Sequence, residues 1–255
     1  LLSVEGSDCC GRALKHTRPA SMGWAGIFHW PMLHSSKFRN AADLHAHQVL
    51  VVGFGNSAGE IVLECADCGL EVAMSVRGEV NVVAREMFRV PSATIAIVQS
   101  RFPPWIADAL NSPFLRMRFP DLEQLGLRRS RRGPLTTMVE RGRTPLIDIG
   151  TIKAIREGRI RIFPGIKSSE GQVVHFENGK HFQCDAIILA TGYRAALEKL
   201  LPDVDQRFPD AGKPSRGNLQ PGGDGLYFCG FNPATSGLLR QIGIEANAIS
   251  RMIAG

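Results

Sequence analysis

An α/β domain built on a parallel sheet is predicted by three stretches read in order. Val49-Leu50-Val51-Val52 empties into Gly53-Phe54-Gly55-Asn56-Ser57-Ala58, a second apolar run covers residues 70–76, and a helical stripe lies between them. Four apolar residues followed by G-x-G-x-x-A form the β-turn-α unit of a Rossmann-like dinucleotide site. Gly53 is expected to make the tight turn. Gly55 is expected to let the backbone approach a pyrophosphate, and Ala58 to let helix and strand pack. Ala58, Ile61, Val62 and Cys65 recur at helical spacing, and Gly69 is placed to end the helix. An ordinary glycine turn in an α/β domain is the competing reading. The ordered sequence of strand, glycine turn, helix and strand favours the nucleotide.

The end of the second strand bears on which nucleotide. An NAD site places an acidic residue there for the ribose 2′-hydroxyl. Here the strand closes on Ser75-Val76-Arg77. Arg77 offers a permanent cation with a planar fork of donors suited to a 2′-phosphate, so NADPH is the expected dinucleotide, with a solvated loop arginine as the alternative.

The chain has 255 residues, 44% of them hydrophobic, which is enough for a full core. No apolar run reaches membrane-span length and no signal-peptide pattern opens the chain, so a cytoplasmic protein is expected. The formal charge of +6 is concentrated at Arg128-Arg129-Ser130-Arg131-Arg132. Without interleaved aromatics this reads as a solvated loop or helix end, and no nucleic acid partner is expected. Cys65 and Cys68 form a C-x-x-C, but no second pair or histidine follows at zinc spacing, so no metal is expected. Both cysteines are assigned to packing.

Beyond the nucleotide unit, residues 82–87 read as helix or strand edge. An insertion over about 88–146 is punctuated by prolines and expected to hold helices of its own, with residues 105–118 interrupted at Pro113. A short helix is expected over 151–157 and a strand over 160–163. Asn178-Gly179 between residues 172–176 and 181–184 reads as a hairpin turn with both residues at positive φ. Its second arm is read as running on into Ala186-Ile187-Ile188-Leu189-Ala190 and ending at Thr191-Gly192, a turn where backbone can approach a ligand. Residues 225–231 read as a strand, and Leu238, Ile242, Ile244, Ile249 and Ile253 give the tail the partly amphipathic pattern of a closing helix.

With these pieces in place, the chain resembles the flavin-containing monooxygenases, in particular their YUCCA-type branch. The resemblance rests on Val52 through Ser57, Arg85-Glu86-Met87, Leu125-Gly126-Leu127 with Gly133-Pro134-Leu135, Thr144 through Thr151, Pro164-Gly165-Ile166, and Asp185 through Tyr193. The family signature F-x-G-x-x-x-H-x-x-x-Y is matched by Phe28 and His34, with Trp30 in place of its Gly and Phe38 in place of its Tyr. The resemblance implies an oxidoreductase that uses NADPH and FAD. Through a flavin hydroperoxide it would oxygenate a small-molecule substrate, such as an indole-3-pyruvate-like 2-oxo acid, with dioxygen. It makes Asn56 and Ser57 candidates near nicotinamide or pyrophosphate, and Thr191 and Gly192 candidates near cofactor. Catalytic side chains are unassigned, since the cofactor carries the chemistry.

Family members carry two glycine fingerprints, the first for FAD. No such fingerprint precedes residue 53 here, so the FAD-binding half is expected to be missing, with an incomplete FAD site. The expected organisation is an irregular segment over 1–23, a linker over 24–43, an NADP-binding domain over 44–192, and a partial FAD-domain return segment over 193–255. Association with another chain through an exposed C-terminal segment is then expected. A non-catalytic NADP-binding remnant is the alternative function. A pyridine nucleotide-disulfide reductase is a second one, opposed by the position of the C-x-x-C, which in the thioredoxin reductases lies before the glycine loop.

Overall fold

The computed structural model of the chain describes residues 31–87, 89–193, 227–230 and 237–254. The expected irregular segment over 1–23 therefore lies outside the described residues, as does most of the stretch 193–236. The described residues divide into two compact units, one of residues 31–92 and 102–192, the other of residues 93–101, 193 and those beyond 226.

In the larger unit the strands are β1 (Met32–His34), β2 (Gln48–Val52), β3 (Glu71–Ser75), β4 (Val82–Ala84), β5 (Glu86–Met87), β6 (Val90–Pro91), β7 (Leu146–Asp148), β8 (Ile160–Phe163), β9 (Ile166–Glu170), β10 (Val173–Phe176), β11 (His181–Gln183) and β12 (Ala186–Leu189). The helices of the chain are α1 (Asn56–Asp67), α2 (Ser92–Gln99), α3 (Pro104–Arg118), α4 (Pro134–Arg141), α5 (Thr151–Arg156) and α6 (Leu238–Ala254). A five-stranded sheet runs in the order β1-β12-β2-β3-β8, every neighbouring pair parallel. The α/β class expected from the sequence is the class observed.

The apolar runs of β2, β3 and β12 are explained by burial on both faces. Val49, Val51, Val72, Met74, Ala186 and Ile188 join a cluster with Ala58, Ile61, Val62 and Cys65 of α1 and Ile152 and Ile155 of α5. The alternate residues Leu50, Ala73, Ile187 and Leu189 face the other way, into a cluster with Val174, Phe176 and Phe182 of the antiparallel sheet β9-β10-β11. There Phe163 stacks on Phe176 with ring centroids 4.3 Å apart. The unit is thus helix, parallel sheet and antiparallel sheet in three layers.

Several expectations need correction. Residues 32–34, read as part of a linker, form the edge strand β1, which pairs with Ile187, Ile188 and Leu189. Of the two readings of residues 82–87, strand is the one observed, in two short pieces over 82–84 and 86–87, with β4 paired to β7 and β5 to β6. Pro113 does not interrupt its helix: α3 runs through it. Both Pro113 and Ala109, whose carbonyl loses its helical partner, are on the solvent side, so water can satisfy the orphan acceptor.

The hairpin between β10 and β11 is observed, but only Gly179 has positive φ. The Phe176 N–H donates to the Lys180 carbonyl at 2.9 Å and closes a three-residue loop, the geometry that needs one left-handed residue rather than two. Nor does the second arm run on as one strand. The Asp185 carboxylate accepts from the His47 and Gln48 amides at 2.8 and 2.9 Å, and this pin shifts the chain from the antiparallel to the parallel sheet. In the smaller unit, residues 227–230 form no strand, while the closing helix is present as α6.

The insertion is braced from within. Asp108 of α3, buried, accepts from the Leu135 and Thr136 amides at 2.9 and 2.8 Å, occupying orphan donors in the first turn of α4. Replacing Asp108 with Ala strands those amides, so thermal unfolding should register a loss of roughly 1–3 kcal/mol. An unchanged midpoint would show that α4 does not depend on this cap.

Candidate functional site

In the sheet order β8-β3-β2-β12-β1, the order in which strands are added reverses at β2: β3 follows it on one flank and the much later β12 pairs on the other, all running parallel. This is a topological switch point, and ligands of such sheets bind beyond the carboxyl ends of the strands there. At that edge the structure gathers Gly53 through Ala58, the segment leaving β3 toward Arg77, and Thr191-Gly192.

Gly53 sits at φ +126° and donates its N–H to the Ser75 carbonyl at 3.0 Å. A Cβ on it would stand 2.3 Å from the Ala190 carbonyl oxygen. Its glycine is therefore required by the close approach of β2 to β12 as well as by the turn. Gly55 behaves differently. It is extended (φ −141°, ψ −176°), and a Cβ there would meet no protein atom within 4 Å. The space in front of Gly55 is thus left to whatever binds.

Gly55 is also the N-cap of α1, with no side-chain cap and no acidic residue in the first turn. The Gly59 N–H closes the first turn on the Gly55 carbonyl at 2.9 Å, which leaves the amides of Asn56, Ser57 and Ala58 outside the helical ladder. A twelve-residue helix thus presents an uncompensated positive end at the switch point. Ser57 is exposed beside it, while Ala58 is fully buried against the sheet.

The Asn56 side-chain oxygen is engaged by the protein, accepting the Ile147 N–H at 2.8 Å. That bond ties the glycine loop to β7 and brings the partly exposed Ile147 next to it. Gly59, not singled out from the sequence, completes the packing: a Cβ there would lie 2.7 Å from Leu146 Cδ1 and 3.1 Å from Thr151 Oγ1. The glycine following Ala58 was the signal.

On the β12 side Thr191 and Gly192 are exposed, Gly192 at φ +90°. At the end of β1 the His34 Nδ1 accepts the Ser36 N–H at 3.2 Å, and burial holds the imidazole below its ordinary pKa and hence neutral near neutral pH. On the β3 side Arg77 is exposed one residue past buried Val76.

Cys65 is buried, free, and pushed up to about 12 by burial, so it carries no thiolate at neutral pH. Cys68 corrects the packing assignment: it is the C-cap of α1 and exposed. Cys65→Ala and Cys68→Ala should each leave nucleotide affinity within about twofold, read by titration calorimetry; loss of binding in either would put the cysteines in the site. In the arginine cluster, Arg129 donates to the Phe119 carbonyl and Arg132 pairs with Glu140, which braces the insertion. Among the described residues no His, Cys, Asp and Glu group could hold a metal, and no helix is long and apolar enough to cross a membrane.

The family described as flavin-binding monooxygenase-like matches residues 8–204. Among similar proteins, indole-3-pyruvate monooxygenase YUCCA1 of Oryza sativa subsp. japonica is 36% identical over 202 residues, covering 78% of this chain and 50% of its own. Probable indole-3-pyruvate monooxygenase YUCCA8 of Arabidopsis thaliana is 33% identical over 208 residues, covering 80% and 49%. The chain spans about half the length of the curated relatives it matches. A solved structure of oxidized steroid monooxygenase bound to NADP superposes with a TM-score of 0.61 at 12% identity, covering 94% of this chain and 60% of that one. A flavin-containing monooxygenase from Stenotrophomonas maltophilia gives 0.54 at 16%, covering 90% and 56%.

Proposed function

Because this chain belongs to the flavin-binding monooxygenase-like family, we propose that residues 44–192 bind NADPH at the switch point between β2 and β12, in the service of a flavin-dependent monooxygenation. The observation that carries the proposal is the free N-terminus of α1 facing the open space before Gly55, with the exit of β3 on one side and Thr191-Gly192 on the other. The pyrophosphate is held by the amides of Asn56, Ser57 and Ala58. Gly53 and Gly55 admit it, and Arg77 takes the 2′-phosphate. Thr191 and Gly192 line the crevice from β12.

FAD, when bound, supplies the oxygen activation. The glycine turn between β2 and α1 is assigned to NADPH, and no described residue is assigned to FAD. Residues 193–255 are read as the return segment of the FAD-binding part, with exposed Leu239 and Ile253 of α6 as its surface for association. The substrate class is a small 2-oxo acid, in keeping with the relatives named for indole-3-pyruvate, with dioxygen as co-substrate.

Arg77→Ala tests the nucleotide reading. Loss of a charge-assisted contact to the 2′-phosphate should weaken NADPH binding about tenfold or more and leave NADH within about twofold, measured by calorimetric titration. Equal weakening of both, or none, removes Arg77 from the site.

A further inference from the structure

We infer that Arg128, contributed by the insertion, is a second arginine of the 2′-phosphate site, so that the ribose phosphate dianion is gripped by two guanidinium groups rather than one. The inference rests on the NADPH reading above.

After β3 the chain passes through Val76, Arg77, Gly78, Glu79 and Val80, and residues 128–130 lie alongside that segment like a short extra strand. The Val80 N–H donates to the Arg128 carbonyl at 2.8 Å, and the Ser130 N–H donates to the Val80 carbonyl at 2.9 Å. Val80 and Arg129 form a parallel bridge. From this anchored backbone the Arg128 side chain turns back, and its Nη2 donates to the Arg77 carbonyl at 2.6 Å. A guanidinium from a position 51 residues later is thereby fixed at the main chain of Arg77 itself.

That bond uses one of the five donors of a guanidinium. Arg77 and Arg128 are both exposed, and neither pairs with a carboxylate among the described residues. Glu79, the one acid in the turn, accepts instead from the Arg131 N–H at 3.4 Å. Two cations are therefore held at one turn with neither in an ion pair, against the single carboxylate of Glu79, an arrangement that a bound dianion relieves and that planar donor forks suit. A neutral ribose hydroxyl offers no such compensation, so the effect of Arg128 is confined to phosphorylated nucleotide.

The test is calorimetric titration of the 255-residue chain and its variants with NADPH and with NADH, alongside thermal unfolding. Arg128→Ala should raise the NADPH Kd about tenfold and leave NADH within about twofold. Arg128→Gln keeps an NH₂ donor for the Arg77 carbonyl without the charge, and should be as weak as Ala. Full rescue by Gln would reduce Arg128 to a brace of the turn and overturn the inference, as would equal weakening toward both nucleotides. Loss of NADPH preference in Arg77→Ala but not in Arg128→Ala leaves the site standing and removes the second arginine. No effect in either variant, or no NADPH binding by the parent chain, overturns the site reading and the inference together.

Discussion

Replacing Gly55 with Val should abolish NADPH binding, by roughly a hundredfold or more, without unfolding the protein. The backbone there is extended, which any residue adopts, and the new side chain meets no protein atom within 4 Å of its Cβ. Its branches instead fill the space before the amides of Asn56, Ser57 and Ala58, where the pyrophosphate is proposed to lie. Unfolding midpoint and titration must separate: an unchanged midpoint with lost binding is expected. Retained affinity would mean that this space is not used by the nucleotide.

Gly53→Ala should do the reverse. Its φ of +126° is strained for any side chain, and the added Cβ would press to 2.3 Å from the Ala190 carbonyl oxygen, a backbone atom with no rotamer to move. Strain of this kind costs about 1–3 kcal/mol, and separation of β2 from β12 adds to it. A marked fall in unfolding midpoint is expected whether or not nucleotide is present. A variant as stable as the parent would show that β2 and β12 do not need this approach. Two glycines of one motif thus carry distinct duties, one internal and one toward a ligand.

What could be read from the sequence follows the range of the forces involved. The strand β2, helix α1, strand β3, helix α5, strand β8 and closing helix α6 announce themselves through local periodicity and terminators such as Gly69. The edge strand β1 does not, because three residues without alternation become a strand only when Ile187 to Leu189 arrive from far along the chain. The break between β11 and β12 is equally tertiary, since Asp185 reads as any acidic residue until its carboxylate meets the His47 and Gln48 amides. Gly53, Gly55 and Ala58 were legible because their spacing encodes a turn. Gly59 and Arg128 were not, because their partners, Leu146 and the Arg77 carbonyl, lie in other segments.

The central claim, that nucleotide sits at the switch point, is tested most directly by amide hydrogen exchange on the 255-residue chain with and without saturating NADPH. Protection is predicted in three segments at once: residues 53–59, residues 76–80 and residues 190–192. Protection absent from residues 53–59, or confined to other parts of the chain, would contradict the assignment of the β2–β12 crevice as the NADPH site.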